Sequence, residues 1–218
     1  MPGEWARVKG TVAGLWPAFL GVFALGFSAA LAFVSLAACA LLTVVSLVWI
    51  AVAVARGLRR VERYFKGARG EERVSCILGA LPDRCHVFND FVAGRAHVDH
   101  VVVGPAGVFA VETKNWRGAV TVEDGHVLLD GQLPSRSPLA QVRKEAELVA
   151  AKLAKAGWSG GVTPVLAFAS DTFGAHIAEV NGTVVMNSCE LVRSFSTDRV
   201  VIPQPELERL VSLMENIE

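Results

Sequence analysis

Three charged side chains lie where two consecutive apolar segments would bring them together. Asp99 interrupts a run of valines, and Glu112 and Lys114 stand two residues apart at the end of the next apolar segment. Side chains alternate faces along a strand, so Glu112 and Lys114 point the same way if this segment is a strand. Converging carboxylates repel one another unless a cation neutralises them, and their hard oxygens suit Mg²⁺ or Mn²⁺. A lysine beside them can hold a phosphate oxygen or help to deprotonate a water molecule.

The elements that would position these residues form a helix followed by strands. Three strands are predicted in succession: His86–Val92, His97–Val103 and Val108–Lys114. The glycine-rich segment 104–107 is a turn between the last two, and pairing through it lets Asp99 reach the patch formed by the other two charged residues. A helix over residues 67–80 precedes the strands, and Glu71 near its start can contribute a further carboxylate.

The second half of the domain continues the alternation of helices and strands. Ser137 and Pro138 suit the N-cap and the first position of a long helix that Gly157 ends. Asn187, with an acidic residue three positions later, predicts a capping box for a short helix. The remaining predicted elements are a hairpin around Asp124-Gly125, strands Val162–Ala169 and Thr183–Met186, and a last helix Pro205–Ile217. This order predicts an α/β sandwich.

The first quarter of the chain has a different composition. Hydrophobic residues make up 52% of the chain and charged residues 19%, which excludes a disordered protein, and residues 10–55 contain no charged side chain. A spanning helix needs roughly 20 apolar residues, so this run predicts two transmembrane helices, near Thr11–Leu31 and Leu36–Arg56. Basic residues flank both ends, so the positive-inside rule predicts a hairpin in the cytoplasmic membrane with both termini in the cytoplasm. Four regions follow: a cytoplasmic N-terminus over 1–10, two transmembrane helices over 11–56, a basic juxtamembrane helix over 57–66 and a domain over 67–218.

Two other interpretations of the apolar run are weaker. The segment from Leu36 to Cys39 resembles a lipoprotein cleavage motif, but the chain stays apolar up to Ala55, where a lipoprotein would turn polar. A buried hairpin of a soluble protein would show a polar outer face, and this run shows none. The other cysteines form no CxxC pair and lack a histidine spacing typical of zinc sites, which argues against zinc. Scattered thiols fit a reducing compartment.

Several short motifs together resemble the NERD (nuclease-related) domain. The motifs are Gly67-Ala68-Arg69-Gly70-Glu71, Val98-Asp99-His100-Val101-Val102-Val103-Gly104, Gly107-Val108-Phe109-Ala110-Val111-Glu112-Thr113-Lys114-Asn115 with Gly118 after it, and Ser137-Pro138-Leu139-Ala140-Gln141. The last of these is similar to the family's Asn-Pro-x-x-Gln segment, with Ser137 where the family usually has asparagine. The resemblance covers about residues 66–153. NERD domains are grouped with the PD-(D/E)xK restriction-endonuclease-like phosphodiesterases, so the resemblance implies their αβββαβ core behind the hairpin.

The resemblance also implies a role for each matching residue. The implied site consists of Glu71, Asp99, Glu112, Lys114 and Gln141. Asp99 takes the place of the motif aspartate, and Glu112 and Lys114 that of the E-x-K motif. Together with the helix glutamate, Glu71, the two strand carboxylates would hold Mg²⁺ or Mn²⁺, and the lysine would orient the water and stabilise charge. Gln141 takes the place of the family's helix glutamine.

Two functions remain open at this point. The resemblance implies a membrane-anchored, metal-dependent nuclease whose partners are the lipid bilayer and nucleic acid, DNA more than RNA. Charge points the other way: residues 57–218 contain 18 Lys and Arg against 20 Asp and Glu, a net of 18 − 20 = −2, whereas nucleic-acid binders usually show a basic field. The alternative is a catalytically inactive nucleic-acid-binding or signalling module on the same anchor. The oligomeric state stays open.

Overall fold

The computed structural model describes residues 4–94 and 96–217 and divides the chain into two compact units. One unit, Glu4–Ala68, is helical, and the other begins at Arg69 and is a mixed α/β unit. Residues 1–3, at the start of the predicted cytoplasmic N-terminus, lie outside the described residues, as does Glu218 at the end of the predicted domain.

Two long helices and a short connection make up the helical unit. Helix α1 spans Glu4–Leu31 and helix α2 spans Leu36–Leu78, so α1 begins several residues before the predicted span at Thr11. By length and composition, both helices are long and apolar enough to cross a membrane. In the uncharged stretch, residues 10–55, apolar side chains cover every face of both helices. The amphipathic helices of soluble proteins instead have one polar face.

The two helices are joined by hydrogen bonds at two levels. Ser28 Oγ and Thr43 Oγ1 lie 3.0 Å apart, and the indole Nε1 of Trp49 donates to the carbonyl of Pro17 at 3.1 Å. The backbones approach closely at Gly14, where a Cβ atom would lie 2.7 Å from Val61 Cγ2. Between helices surrounded by lipid, the hydrophobic effect provides no driving force for association, so close packing and hydrogen bonds of this kind would hold the two helices together.

Helix α2 continues without interruption beyond its apolar part. It runs through the basic segment 57–66 and ends at Leu78, before Pro82. The separate helix predicted over residues 67–80 is therefore wrong in its start, because it is the last part of α2. Gly67 and Gly70 cost about 1 kcal/mol each relative to alanine inside a helix, which is not enough to break one that is packed at its end.

The α/β unit is built on a six-stranded mixed sheet. Its strands are β1 His86–Ala93, β2 Ala96–Gly104, β3 Gly107–Lys114, β6 Val162–Phe168, β7 Ile177–Val180 and β8 Thr183–Asn187, and a separate hairpin consists of β4 Val120–Glu123 and β5 His126–Leu129. The order across the sheet is β1-β2-β3-β6-β8-β7. Strands β1, β2 and β3 form an antiparallel meander, while β6 is parallel to both β3 and β8. The carboxyl ends of β3, β6 and β8 therefore meet at one edge of the sheet.

Helices cover both faces of this sheet. The remaining helices are α3 Pro138–Lys155, a 3-10 turn Ser188–Glu190, α4 Leu191–Phe195 and α5 Gln204–Ile217. Leucines of α3 and α5 pack on one face, and Val74 and Leu78 of α2 pack with α4 on the other. The consecutive valines 101–103 of β2 are all fully buried, as expected for a strand covered on both sides. The end of α2, the meander, α3 and β6 follow one another in the predicted αβββαβ order, so the predicted α/β fold class is confirmed.

Two local predictions differ from the structure. The side chain of Asn187 makes no capping hydrogen bond, because its amide binds the backbone of Phe173 and the carboxylate of Asp171 instead. Strand β7 is absent from the predicted elements. It pairs with β8 through a tight turn at Asn181 and Gly182, which have φ angles of 51° and 73°.

Candidate active site

The register of the meander places Asp99 and Glu112 opposite each other. His100 pairs with Val111 in the β2–β3 ladder, so the next residues outward on the two strands are Asp99 and Glu112. One carboxylate oxygen of Asp99 accepts the backbone N–H of Thr113 at 2.7 Å. The predicted approach of Asp99 to the end of β3 is thus present as a direct contact between the two strands.

A hydrogen-bonded network joins the end of β3 to helix α3. Lys114 Nζ donates to Glu112 Oε1, and also to Gln141 Oε1 at 3.0 Å. The amide of Gln141 in turn donates to Glu112 Oε1 at 2.8 Å. Glu112 is only 5% exposed, so the ammonium and amide groups replace the water that its charge requires.

Helix α3 carries Gln141 to this position because its start is fixed. The Ser137 hydroxyl accepts the N–H of Ala140 as an N-cap, and Pro138 occupies the first helical position. Buried Leu139 and Val142 hold the first turn against the sheet. Serine therefore provides the cap where the resembling family usually has asparagine.

Glu145 belongs to the same network, although the sequence analysis does not identify it. It lies one helical turn after Gln141, whose amide donates to Glu145 Oε1 at 2.9 Å. It is 6% exposed, and its Oε2 has no hydrogen-bond partner among the residues that the structure describes. Burial and then the charge of Glu112 raise the pKa of Glu145 to about 8. The sequence carries one sign of this residue: Glu145 is a charged residue within the apolar stripe of α3, between Val142 and Val149.

Glu71 approaches the strand carboxylates from the end of α2. Burial raises the pKa of Glu71, and the charges of Glu112 and Asp90 add to that rise. Gly70 brings α2 close to the residue after β3, because a Cβ there would lie 2.6 Å from Asn115 Cβ. All five residues predicted for the site therefore lie on elements that converge at the carboxyl end of β3.

Asp90 adds a further acidic group on β1. The register of β1 and β2 places it across from Asp99, and its φ of 54° is a left-handed conformation that interrupts the ladder at this point. Its Oδ1 lies 3.1 Å from His97 Nδ1. The sequence places Asp90 only within the predicted strand His86–Val92, since a strand pattern gives no sign of such a backbone distortion.

Electrostatic crowding is the main property of this cluster. Burial raises the pKa of Asp99 well above its usual value, and the charges of Glu112 and Glu71 add to this effect. Burial acts to lower the pKa of Lys114, but the carboxylate of Glu112 outweighs it, so the pKa lies above its ordinary value and the side chain stays charged. The cluster offers several carboxylate oxygens, a donor set that fits Mg²⁺ or Mn²⁺, and one fixed ammonium lies beside them. Beyond the effect of burial, the charge of Glu112 adds to the raised pKa values of Glu71, Asp99 and Glu145. This repulsion between carboxylates is an unfavourable interaction that a divalent cation would relieve.

A neutral histidine supports the strands behind the cluster. His100 is fully buried, and its Nδ1 lies 2.7 Å from Asn89 Oδ1, which also accepts the Ser75 hydroxyl at 3.2 Å. Because that oxygen is an acceptor, Nδ1 carries the proton of the ring. Burial lowers the pKa of His100 to about 4, so the ring is neutral at pH 7. This contact links α2, β1 and β2 beside Asp99.

Comparison with known proteins points to one family. Residues 66–169, just under half of the chain, match the family model of NERD, the nuclease-related domain. The matched range contains all five residues predicted for the site and also Glu145. No curated protein and no solved structure matches the chain.

The burial of His100 predicts a specific pH dependence of stability. The unfolded chain binds a proton at the usual pKa of 6.5, whereas folded His100 binds it only near pH 4, so stability falls as pH drops from 6.5 towards 4. His100→Gln removes this contribution, and its free energy of unfolding relative to wild type rises by about 2 kcal/mol between pH 7 and pH 4.5. Urea unfolding of the full chain in detergent measures it. His126→Gln, at an exposed histidine, serves as the control, and equal pH profiles for His100→Gln and wild type would contradict the assignment.

Glu145 predicts the opposite pH dependence. Its folded pKa of about 8 exceeds the ordinary 4.5, so the stability it allows is present below pH 4.5 and is lost as pH rises through 8. In EDTA, Glu145→Gln should gain on the order of 3 kcal/mol over wild type between pH 4.5 and pH 9. Glu147→Gln, an exposed glutamate on the same helix, should show no such gain. A Glu145→Gln profile that superimposes on wild type would show that Glu145 is not held neutral.

Proposed function

We propose that this chain, whose residues 66–169 match a nuclease-related domain, is a membrane-anchored nuclease that hydrolyses phosphodiester bonds of DNA or RNA with Mg²⁺ or Mn²⁺. The observation that carries this proposal is the opposition of Asp99 and Glu112 across two paired strands, with Lys114 fixed beside them. A surface ion pair would not need a third carboxylate, nor an amide that binds both of its members.

Each site residue has a role that follows from its surroundings. Asp99, Glu112 and Glu71 are the residues that would hold the metal ion. When bound, such an ion stabilises negative charge developing on a phosphate and lowers the pKa of a bound water. Lys114 remains protonated, so it acts through its charge on a phosphate oxygen rather than as a base. Gln141 is a positioning residue, because it fixes both the lysine and Glu112.

The helical unit would hold this domain at a membrane. Two helices are long and apolar enough to span, and basic side chains flank the apolar run at both ends. The positive-inside rule then places both ends of the hairpin, and the domain, in the cytoplasm. The cations of residues 56–66 would favour an anionic leaflet.

A second candidate is a non-catalytic nucleic-acid-binding or signalling module with the same fold. Two observations favour it: the acidic balance of residues 57–218, and the use of two of the three N–H donors of Lys114 by partners within the protein. The two functions differ in one measurable property, metal-dependent cleavage.

A cleavage assay separates the candidates. The full chain in detergent is incubated with single- and double-stranded DNA and RNA in Mg²⁺, Mn²⁺ or EDTA. We expect cleavage with metal only, and a loss of at least about 100-fold in Asp99→Ala and in Glu112→Ala/Lys114→Ala. Each variant removes a carboxylate that would hold the metal ion, and the double variant also removes the lysine charge that would stabilise the phosphate.

Asp83→Asn is the matched control for this assay, because Asp83 is an exposed aspartate outside the cluster. It should cleave like wild type. Absence of cleavage with every substrate and metal, by a protein shown to be folded, would favour the binding module.

Thiol labelling tests the predicted topology. Cys76 and Cys189 are exposed in the α/β unit, so in a Cys39→Ser/Cys85→Ser background a membrane-impermeant maleimide should label them only after spheroplasts expressing the chain are permeabilised. Phe33→Cys, in the connection between the helices, should give the opposite result and be labelled in intact spheroplasts. Labelling of Cys189 in intact spheroplasts would place the domain outside the cytoplasm.

A further inference from the structure

A second group of potential metal ligands lies outside the acidic cluster. Asp171 and His176 belong to the loop between β6 and β7, and Cys189 belongs to the 3-10 turn after β8. One ligand atom from each residue lies within 4.8 Å of the others, and His176 Nδ1 lies 3.8 Å from Asp171 Oδ1. In a tetrahedral zinc site, bonds of about 2.0–2.3 Å place ligand atoms about 3.3–3.8 Å apart. The aspartate and histidine already have this spacing, and the thiol of Cys189 lies within 4.8 Å of both.

Asn187 organises these ligands from beneath. It is fully buried, and its Nδ2 donates to Asp171 Oδ1 at 2.7 Å and to the carbonyl of Phe173 at 2.8 Å. Its Oδ1 accepts the N–H of Phe173 at 3.0 Å. Its backbone N–H donates to the carbonyl of His176 at 3.0 Å. Around metal ions in proteins, the carboxylates that bind the metal are commonly oriented by a hydrogen bond from a neighbouring group, as the Asn187 amide orients Asp171 here.

We propose that Asp171, His176 and Cys189 form a binding site for a zinc-class divalent transition metal, separate from the acidic cluster and completed by solvent. Thiolate and imidazole ligands select zinc-class metals, whereas Mg²⁺ requires oxygen ligands. The bound metal ties the β6–β7 loop to the turn after β8 at the edge of the sheet. The sequence argued against zinc because its cysteines form no CxxC pair and no histidine accompanies them at a spacing typical of zinc sites, whereas the pairing of β8 with β6 and β7 brings these three ligands together.

Cobalt provides a direct test, because a thiolate ligand gives Co²⁺ a charge-transfer absorption that oxygen and nitrogen ligands do not. The full chain, in detergent with a non-thiol reductant and freed of metal by a chelator, is titrated with Co²⁺. We expect this band to saturate at one Co²⁺ per chain and to disappear when Zn²⁺ is added. Cys189→Ser should abolish the band, and His176→Ala should weaken Co²⁺ binding by about 100-fold.

Two matched variants separate this site from other sources of the signal. Cys76→Ser removes another exposed thiol and should keep the band. Asp99→Asn/Glu112→Gln, which weakens the acidic cluster, should also keep it. A missing band in wild type at saturating Co²⁺, with Cys189 shown to be reduced, would overturn the proposal. A band that survives Cys189→Ser or is lost in Cys76→Ser would overturn it as well. Since all three ligands are exposed, their replacement leaves the core intact, and circular dichroism verifies this.

Discussion

Repulsion between carboxylates at the end of the β2–β3 pair is the constraint on which this domain depends. Asp99 and Glu112 lie opposite each other, and like charges in such a position destabilise a sheet. Burial increases the cost because little water remains to screen them. The fold offsets this with one backbone N–H for Asp99, and with an ammonium and an amide for Glu112. Burial raises the pKa of Asp99 and of Glu145, and the charge of Glu112 adds to both rises, so these contacts relieve the crowding only in part.

Contacts from α3 on one side, and between β1 and β2 on the other, hold the charged groups of the cluster in place. Helix α3 must begin at Pro138 for Gln141 to bind both Glu112 and Lys114, so the Ser137 cap acts on the site through the register of the helix. On the other face, the link between His100 and Asn89 ties β2 to β1 beside the carboxylates. A charged His100 would add a buried cation with one unpartnered nitrogen, which explains why a neutral ring suits this position.

The sequence predicted those parts of the site that depend on local patterns. Strand alternation was enough to place Glu112 and Lys114 on one face, and the turn before β3 was enough to bring Asp99 close. Gln141 came only from the resemblance, because a glutamine on a helix has no periodic signature of function. Glu145 was missed since a single polar residue within an apolar stripe does not reveal a partner on another element.

The remaining differences also arise from contacts distant in sequence. The predicted capping box fails because the Asn187 side chain binds Asp171 and Phe173, which only the pairing of β6 with β8 brings near. Strand β7 was predictable, since Asn181-Gly182 is a strong signal for a two-residue turn. The left-handed backbone of Asp90 was not, because aspartate adopts that conformation at only a minority of positions and a strand pattern does not mark which ones.

The acidic balance of the α/β unit has a local origin. From Arg69 onward there are 14 Lys and Arg against 19 Asp and Glu, an excess of five acidic residues. The carboxylates that converge on the candidate site also number five: Glu71, Asp90, Asp99, Glu112 and Glu145. With Lys114 counted in the cluster, the rest of this unit holds 13 Lys and Arg against 14 Asp and Glu and is nearly balanced. Glu145 is mostly neutral at pH 7 because its pKa is about 8. A divalent cation at the cluster would cancel two further charges. The negative total, which favours a non-catalytic module, thus comes from the candidate site itself and leaves the rest of the surface little more repulsive to nucleic acid than that of a neutral protein.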